Sequence, residues 1–419
     1  MTSSRDQAGG TASATLDEAM EALLRFGAAM LRAGNTATRT HALTETMGKK
    51  LGFDSVALSL TLDSITASVR RGGERSTAVR EIGPPGVNAG RIAELERLAK
   101  ADEPALTARE VTRRLAEIEA ALPRYSAAQI AGAVGVASGG FAFLNGADAP
   151  EMIAASIGGG IGQWARAWLS RRHVNQYASA ALAAVVASGC YVLLAALAGH
   201  AGIGFTRYPA GFIASALFLV PGFPLIAGLF DLLQHQTVAA VSRMAYGVMI
   251  LLAVVLGLSI VIALGGVELG RQPPLELAYP MTLSLRALAS FAAGCAFAML
   301  FNSSTQIVLA SGLLALAAND IRLTLIDLGI ALAPAAFVAT LLIGLVASVA
   351  ERRFEAPPMA MVVAPTVIMM PGLYAYEMIV LFNRGQMLDA LQATAACGFV
   401  IGALAMGLAA ARFSVRRGR

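Results

Sequence analysis

Two apolar stretches carry residues that an uninterrupted membrane helix would not: LVPGFPLIAGLFDLL (219–233) and IMMPGLYAYEMIVLF (368–382). Proline removes a backbone donor and strains the turn before it. The freed peptide groups cannot be satisfied by lipid, so such a break belongs where it faces protein or water. Pro221, Gly222, Pro371 and Gly372 are therefore candidate backbone for holding a small polar solute. Each break is followed by a carboxylate on the arm that leaves it, Asp231 after the first and Glu377 after the second. An ionisable group inside an apolar span is costly and defaults to a functional reading, here a proton carrier or a partner for a substrate ammonium. The bland alternatives are packing kinks and, for Asp231, an interfacial place at a span end.

Further polar groups stand at the ends of other apolar runs. Asn319, Asp320 and Arg322 close one run, and Gln163 and Arg166 close another. A guanidinium there can hold a substrate carboxylate through two hydrogen bonds, or snorkel to lipid headgroups, the reading favoured for Arg166. Asn145 and Asn302, at corresponding span ends, are candidates to line a path. Cys190, Cys295 and Cys397 lie in separate apolar runs without metal-ligand spacing and read as buried small residues. No phosphate-binding loop is visible, so energy for transport would come from an ion gradient. No catalytic residue, metal site or cofactor is expected.

The elements that must position these groups follow from composition. Of the 59 Asp, Glu, Lys and Arg residues, 33 lie in residues 1–124, leaving 26 for the other 295. The chain thus reads as a polar domain followed by a membrane domain. Residues 1–14 read as disordered, with no cleavable signal peptide. Apolar runs at 126–145, 150–168, 176–199, 209–233, 244–265, 283–301, 304–319, 328–350, 359–382 and 387–410 give ten expected spans, the second and seventh short enough to be broken or buried against neighbours. The basic segments SRRHVNQ, Arg243, ERRFE and RFSVRRGR all fall on one side if both termini are cytoplasmic, while Arg207, Arg271, Arg322 and Arg384 fall opposite, with Glu268 and Glu276. Topology explains the net charge of +5 better than nucleic acid does.

In residues 15–124 the spacing predicts helices near 15–34, 36–51, 88–100 and 107–121, around a three-stranded meander with turns at Asp63-Ser64 and Gly72-Gly73. This is an α+β cytoplasmic domain. His41, Asp54, Asp63 and Ser64 are the residue types of a hydrolytic triad but lack a nucleophile elbow.

The membrane part repeats. An offset of 156 lays FAFLNGADAPEMIAASIGGGIGQWARAWL (141–169) on FAMLFNSSTQIVLASGLLALAANDIRLTL (297–325), and an offset of 150 matches Pro221-Gly222 to Pro371-Gly372. Five spans per copy, an odd number, make the copies inverted repeats at 125–265 and 281–411, followed by a basic tail at 412–419. The fold class expected is a polytopic α-helical membrane protein of about ten transmembrane helices with an N-terminal soluble domain.

These residues resemble the bacterial threonine/serine exporter family over nearly the whole chain. GAAMLRAGNTATRT, with Arg39, and GVNAGRIAELERL are similar to its N-terminal pattern, and LVPGFPLIAGLFDLL and MMPGLYAYE to its Pro-Gly stretches. The resemblance implies an inner-membrane exporter of threonine, serine or a similar small hydroxy amino acid, driven by the proton motive force. It also implies kinship with two-subunit systems linked to succinate export. Where the family often has Gly-Asp after Asp-Leu-Leu, this chain has His235-Gln236, and the second copy has Gly385-Gln386, which leaves Asp231 and Glu377 as the carboxylates for coupling. The partners expected are the small-molecule substrate, protons and the bilayer, with homo-oligomers left open and no nucleic acid. The alternatives are a dicarboxylate exporter, a membrane-anchored hydrolase and a non-transporting scaffold.

Overall fold

The computed structural model describes residues 15–202, 209–265, 278–354 and 358–416. The expectations for residues 1–14, for Arg207, Glu268, Arg271 and Glu276, and for 417–419 lie outside the described residues. The chain divides into two compact units, one holding residues up to 87 and 91–122, the other holding 88–90 and the chain from Pro123 on.

In the first unit, α1 (Leu16–Arg32) starts at a capping box in which Thr15 and Glu18 satisfy each other's backbone N–H groups. It ends where Gly34 takes φ +99°. Thr36 caps α2 (Ala37–Lys50). Strands β1 (Ser55–Leu60), β2 (Ser64–Arg71) and β3 (Glu74–Glu81) form an antiparallel sheet in that order. Arg71 pairs with Glu74 across the two-residue turn Gly72-Gly73, whose positive φ angles of 57° and 92° suit a tight hairpin that only glycine enters freely. Ile65, Ala67 and Val69, alternate residues of β2, are buried, and α1 packs against β2 and β3. Helices α3 (Ala89–Lys100) and α4 (Ala108–Ala120) follow. Arg39 on α2 donates two hydrogen bonds to the nearly buried Glu96 on α3, at 3.1 and 2.6 Å. On α4, hydrogen bonds from Arg113 and Arg114 hold the Glu110 carboxyl down at about 2.

The triad types are each committed elsewhere or stand apart. Asp54 accepts from the Gly72 N–H at 2.9 Å, Asp63 and Ser64 both bond Thr61 to close the β1–β2 turn, and His41 lies half-buried on α2.

The second unit is all helix: α5 (Ala127–Leu144), α6 (Ala149–Arg171), α7 (Gln176–His200), α8 (Pro209–Ala216), α9 (Gly222–Leu233), α10 (Thr237–Gly265), α11 (Tyr279–Leu300), α12 (Thr305–Asp327), α13 (Leu332–Phe354), α14 (Pro358–Val367), α15 (Gly372–Asn383) and α16 (Met387–Arg416). Among the described residues, seven helices are long and apolar enough to cross a membrane: α5, α7, α10, α11, α12, α13 and α16. The bent pair Ala210–Leu219 and Gly222–Leu233 makes an eighth if it is one span. The chain is therefore a polytopic helical membrane protein.

Two expectations change. The short second and seventh apolar runs are not broken: α6 and α12 are continuous helices of 23 residues each. Gln163 and Arg166, and Asn319, Asp320 and Arg322, interrupt the apolar run without interrupting the helix, because the backbone hydrogen bonds of a helix do not depend on the polarity of its side chains. Nor is Arg243 a loop charge after the fourth span. It sits inside α10, 4% exposed.

Helix boundaries carry the internal repeat. α6 and α12 begin 156 residues apart, as do α7 and α13, while α9 and α15 begin 150 apart, as do α10 and α16. Packing follows suit: α5 packs on α6 as α11 on α12, α7 on α10 as α13 on α16, and α9 on α10 as α15 on α16. Close approach rests on glycine where helices cross; a methyl at Gly158 of α6 would come within 2.6 Å of the Ala187 carbonyl oxygen of α7.

Candidate functional site

The two Pro-Gly breaks have the same local construction. After α8, a single 3-10 turn (Leu217–Leu219) leads to Val220 in an extended conformation, and Pro221 then caps α9. The Gly222 N–H donates to the Val220 carbonyl at 2.8 Å, and the Gly372 N–H donates to the Met370 carbonyl at the same distance. Pro221, Gly222, Pro371 and Gly372 are all buried, and the first break bends its pair of helices by 61°.

The breaks also face each other. A methyl added at Gly222 would meet Met370 at 3.0 Å and Val367 at 3.4 Å; one added at Gly372 would meet Leu217 and, at 3.8 Å, Val220. Leu217 and Val220 are the repeat counterparts of Val367 and Met370, so the contact is reciprocal. Glycine at both places lets the two breaks close on one another without a side chain between them.

Two clefts involve the elements around this contact. One, of about 70 Å³, lies among α9, α13, α14 and α16. Phe223, Ile226, Ala227 and Phe230 of α9 line it at helical spacing, as do Gly344, Ala347, Ser348 and Glu351 of α13, with Thr366 and Val367 of α14 and Leu408 and Arg412 of α16. The other holds about 10 Å³ and is lined by apolar residues of α8, α10 and the first break, together with Gly372. Where α13 has Ala347, the matching place on α7 holds Tyr191, which is 2% exposed and packs edge-on to Phe212 with ring centroids 6.3 Å apart.

The predicted carboxylates part company. Asp231 is wholly buried and faces Arg243 of α10, with Arg243 Nε 3.7 Å from Asp231 Oδ2. Glu377 is half-buried on α15. The repeat places Glu377 opposite Ala227 and Asp231 opposite Leu381, so the two occupy different sites on their arms.

Around α12, Asn319 is wholly buried, donates to Ser290 at 2.8 Å and accepts from Arg322 Nε at 2.9 Å. Asp320, half-buried, lies next to this chain of bonds. Asn145 and Asn302 end helices: Asn145 caps α5 and donates to the Phe141 carbonyl at 2.7 Å. Asn302 takes φ +58° after α11, where its side chain accepts from the Arg124 N–H and donates to Asn88.

Sequence reasoning missed Arg243, Glu351 and Arg412, because it read each as a charge marking a membrane edge. The spacing of Gly344, Ala347, Ser348 and Glu351 was the available signal, since it runs a stripe of small residues into a carboxylate on one helical face. Glu151, wholly buried at the start of α6 in a capping box with Asp148, was missed too. Among the described residues, no group of three or more His, Cys, Asp and Glu residues is placed to hold a metal ion.

Comparison with known proteins agrees with this architecture. The family model described as "Putative threonine/serine exporter" matches residues 21–265, and the one described as "Threonine/Serine exporter, ThrE" matches residues 286–413. The chain is similar to the "Probable succinate transporter subunit YjjP" of Escherichia coli strain K12, 24% identical over 249 residues, which cover 58% of this chain and 94% of the relative. The protein of the same description from Klebsiella aerogenes is 24% identical over 241 residues, 57% of this chain and 91% of the relative. No solved structure matches. With family models spanning both halves of the membrane unit, the chain belongs to the threonine/serine exporter family.

Proposed function

We propose that the chain is a secondary active exporter of threonine, serine or a similar small hydroxy amino acid. It crosses the bacterial inner membrane ten times as two inverted five-span repeats, with both termini and the polar domain cytoplasmic. One observation carries this reading: two repeat-matched Pro-Gly breaks pack on each other. That is the arrangement alternating access needs, a central contact around which one repeat rocks against the other.

In this reading Pro221, Gly222, Pro371 and Gly372 shape the site, and their unwound backbone offers donors and acceptors to the substrate. Asp231 carries the inward proton, exchanging it against the Arg243 guanidinium as α9 moves on α10. Glu377, Asp320, Asn319 and Arg322 lie along the path. Vesicles loaded with labelled threonine test the coupling: an imposed pH gradient, acidic on the face the proton enters from, speeds efflux, and equal rates with and without the gradient contradict it.

Export of a dicarboxylate is the second reading, favoured by the printed name of the relatives. Of the arginines it would call on, Arg286 is paired with Asp327 at 2.5 Å and Arg322 bonds Asn319.

A further inference from the structure

We infer that the groove between α5 and α6 holds an acyl chain of an anionic phospholipid, with the lipid phosphate taken by Arg172. The inference takes from the reading above only that α6 crosses the bilayer, and it is independent of the substrate carried.

The groove measures about 520 Å³ and is mostly apolar. Gly132 and Gly135 of α5 and Gly160 of α6 line it, beside Ile157, Ile161 and Trp164. The glycines let the two helices approach closely; a methyl at Gly160 would come within 3.2 Å of the Ala131 carbonyl oxygen. A methyl at Gly132 would meet nothing within 4 Å, so the groove is open there. Hydrocarbon lying in such a concavity touches more wall atoms than on a flat helix face, and each contact adds a small dispersion gain.

α6 carries this face on to a positive charge. Ile157, Ile161, Trp164, Trp168 and Arg172 recur at three- and four-residue spacing, one stripe along the helix. The two tryptophans are 55% and 54% exposed, in keeping with aromatic residues at a membrane–water boundary. The Arg172 guanidinium carbon stands 5.3 Å from the centre of the Trp168 ring. Stacking engages the flat of the guanidinium and leaves its N–H edges for a phosphate. Arg171, next to it, is exposed, and no ion pair among the described residues engages either arginine. Two adjacent guanidinium groups favour a headgroup that brings negative charge without a cation of its own. From Trp164 to Arg172 is about 12 Å of helix, and one leaflet holds about 15 Å of hydrocarbon. A lipid with its phosphate at Arg172 therefore reaches the groove with its chain.

The second repeat has neither half of this site. At the offset of 156, Gly132, Gly135 and Gly160 become Leu288, Phe291 and Leu316. Phe291 lies over Gly312, where an added methyl would come within 2.9 Å of its ring. Trp164, Trp168 and Arg172 become Asp320, Thr324 and Leu328. Groove and guanidinium are absent together, as parts that serve one ligand would be.

Trp164 and Trp168 are the two tryptophans of the chain, so its intrinsic tryptophan fluorescence reports on this site alone. The full chain is placed in vesicles of phosphatidylcholine and phosphatidylglycerol, with bromine on the acyl chains of one lipid or the other as quencher. The affinity for phosphatidylglycerol relative to phosphatidylcholine should be about fivefold, the ratio expected of one arginine near a membrane surface. Arg172→Gln should bring that ratio close to one. Gly132→Leu, which installs the residue of the second repeat where there is room for it, should lower the ratio too. A wild-type ratio near one overturns the inference. A ratio unchanged in either variant also overturns it, since both parts must act on one ligand. Weak quenching by both lipids, with Gly132→Cys chains linking into a disulfide dimer, would put a second copy in the groove in place of lipid. Weak quenching by both without such a dimer would take α6 out of the bilayer, and the ten-span reading would fall with the inference.

Discussion

Phe141 of α5 and Phe297 of α11, which occupy the same place in the two halves, meet edge to face with ring centroids 5.7 Å apart and planes at 71°. The reciprocal contact of Gly222 and Gly372 with the opposite break is a second place where matched residues of the two halves meet. Phe141→Ala and Phe297→Ala should each cost about 3 kcal/mol. The double variant should fall short of their sum by about 1 kcal/mol, because the ring pair is lost once. Thermal unfolding in detergent measures both, and strict additivity would remove the ring contact from the account.

Asp231 and Arg243 form an ion pair sealed from solvent, and removing one charge takes a buried partner from the other. Asp231→Asn should abolish gradient-driven transport and lower stability by about 3 kcal/mol, without unfolding the protein at room temperature. Adding Arg243→Met should recover most of the stability and none of the coupling. Wild-type transport rates in Asp231→Asn would take Asp231 out of the mechanism.

Tyr191 is 2% exposed and its ring packs edge-on to Phe212. Tyr191→Ala should cost about 3 kcal/mol through the cavity it leaves, read as an earlier thermal transition in detergent; an unchanged transition would contradict the packing.

In the polar unit, Arg39 spans from α2 to Glu96 with two hydrogen bonds. Arg39→Ala should destabilise that unit by about 3 kcal/mol. Arg39→Lys should lie between, since an ammonium cannot reproduce the two-pronged contact. Limited proteolysis of the full chain would show the order; indistinguishable variants would make the pair incidental.

Much of the scaffold was legible because it rests on local rules. Alternation around Gly72-Gly73 set the hairpin, Thr36 and Gly52 bracketed α2, and the offsets of 156 and 150 reappear as helix starts. What stayed hidden depends on which way a charged side chain turns. Arg243, Glu351 and Arg412 lie at the ends of apolar runs, where a sequence shows only that an arginine or glutamate is near a membrane surface. Whether it reaches out to water or turns inward is set by the helix packed beside it, and that helix comes from far along the chain. Asn145 and Asn302 show the converse. Their polarity at span ends suggested a path; the structure adds that both end helices, Asn145 as the C-cap of α5 and Asn302 at φ +58° after α11.

Counterflow in proteoliposomes tests the central claim most directly. Purified full-length protein is given a high internal load of threonine, serine or succinate, and a trace of the same labelled compound is added outside. The account predicts transient accumulation of labelled threonine and serine above equilibrium. Accumulation with succinate alone, or with none of the three, would contradict it.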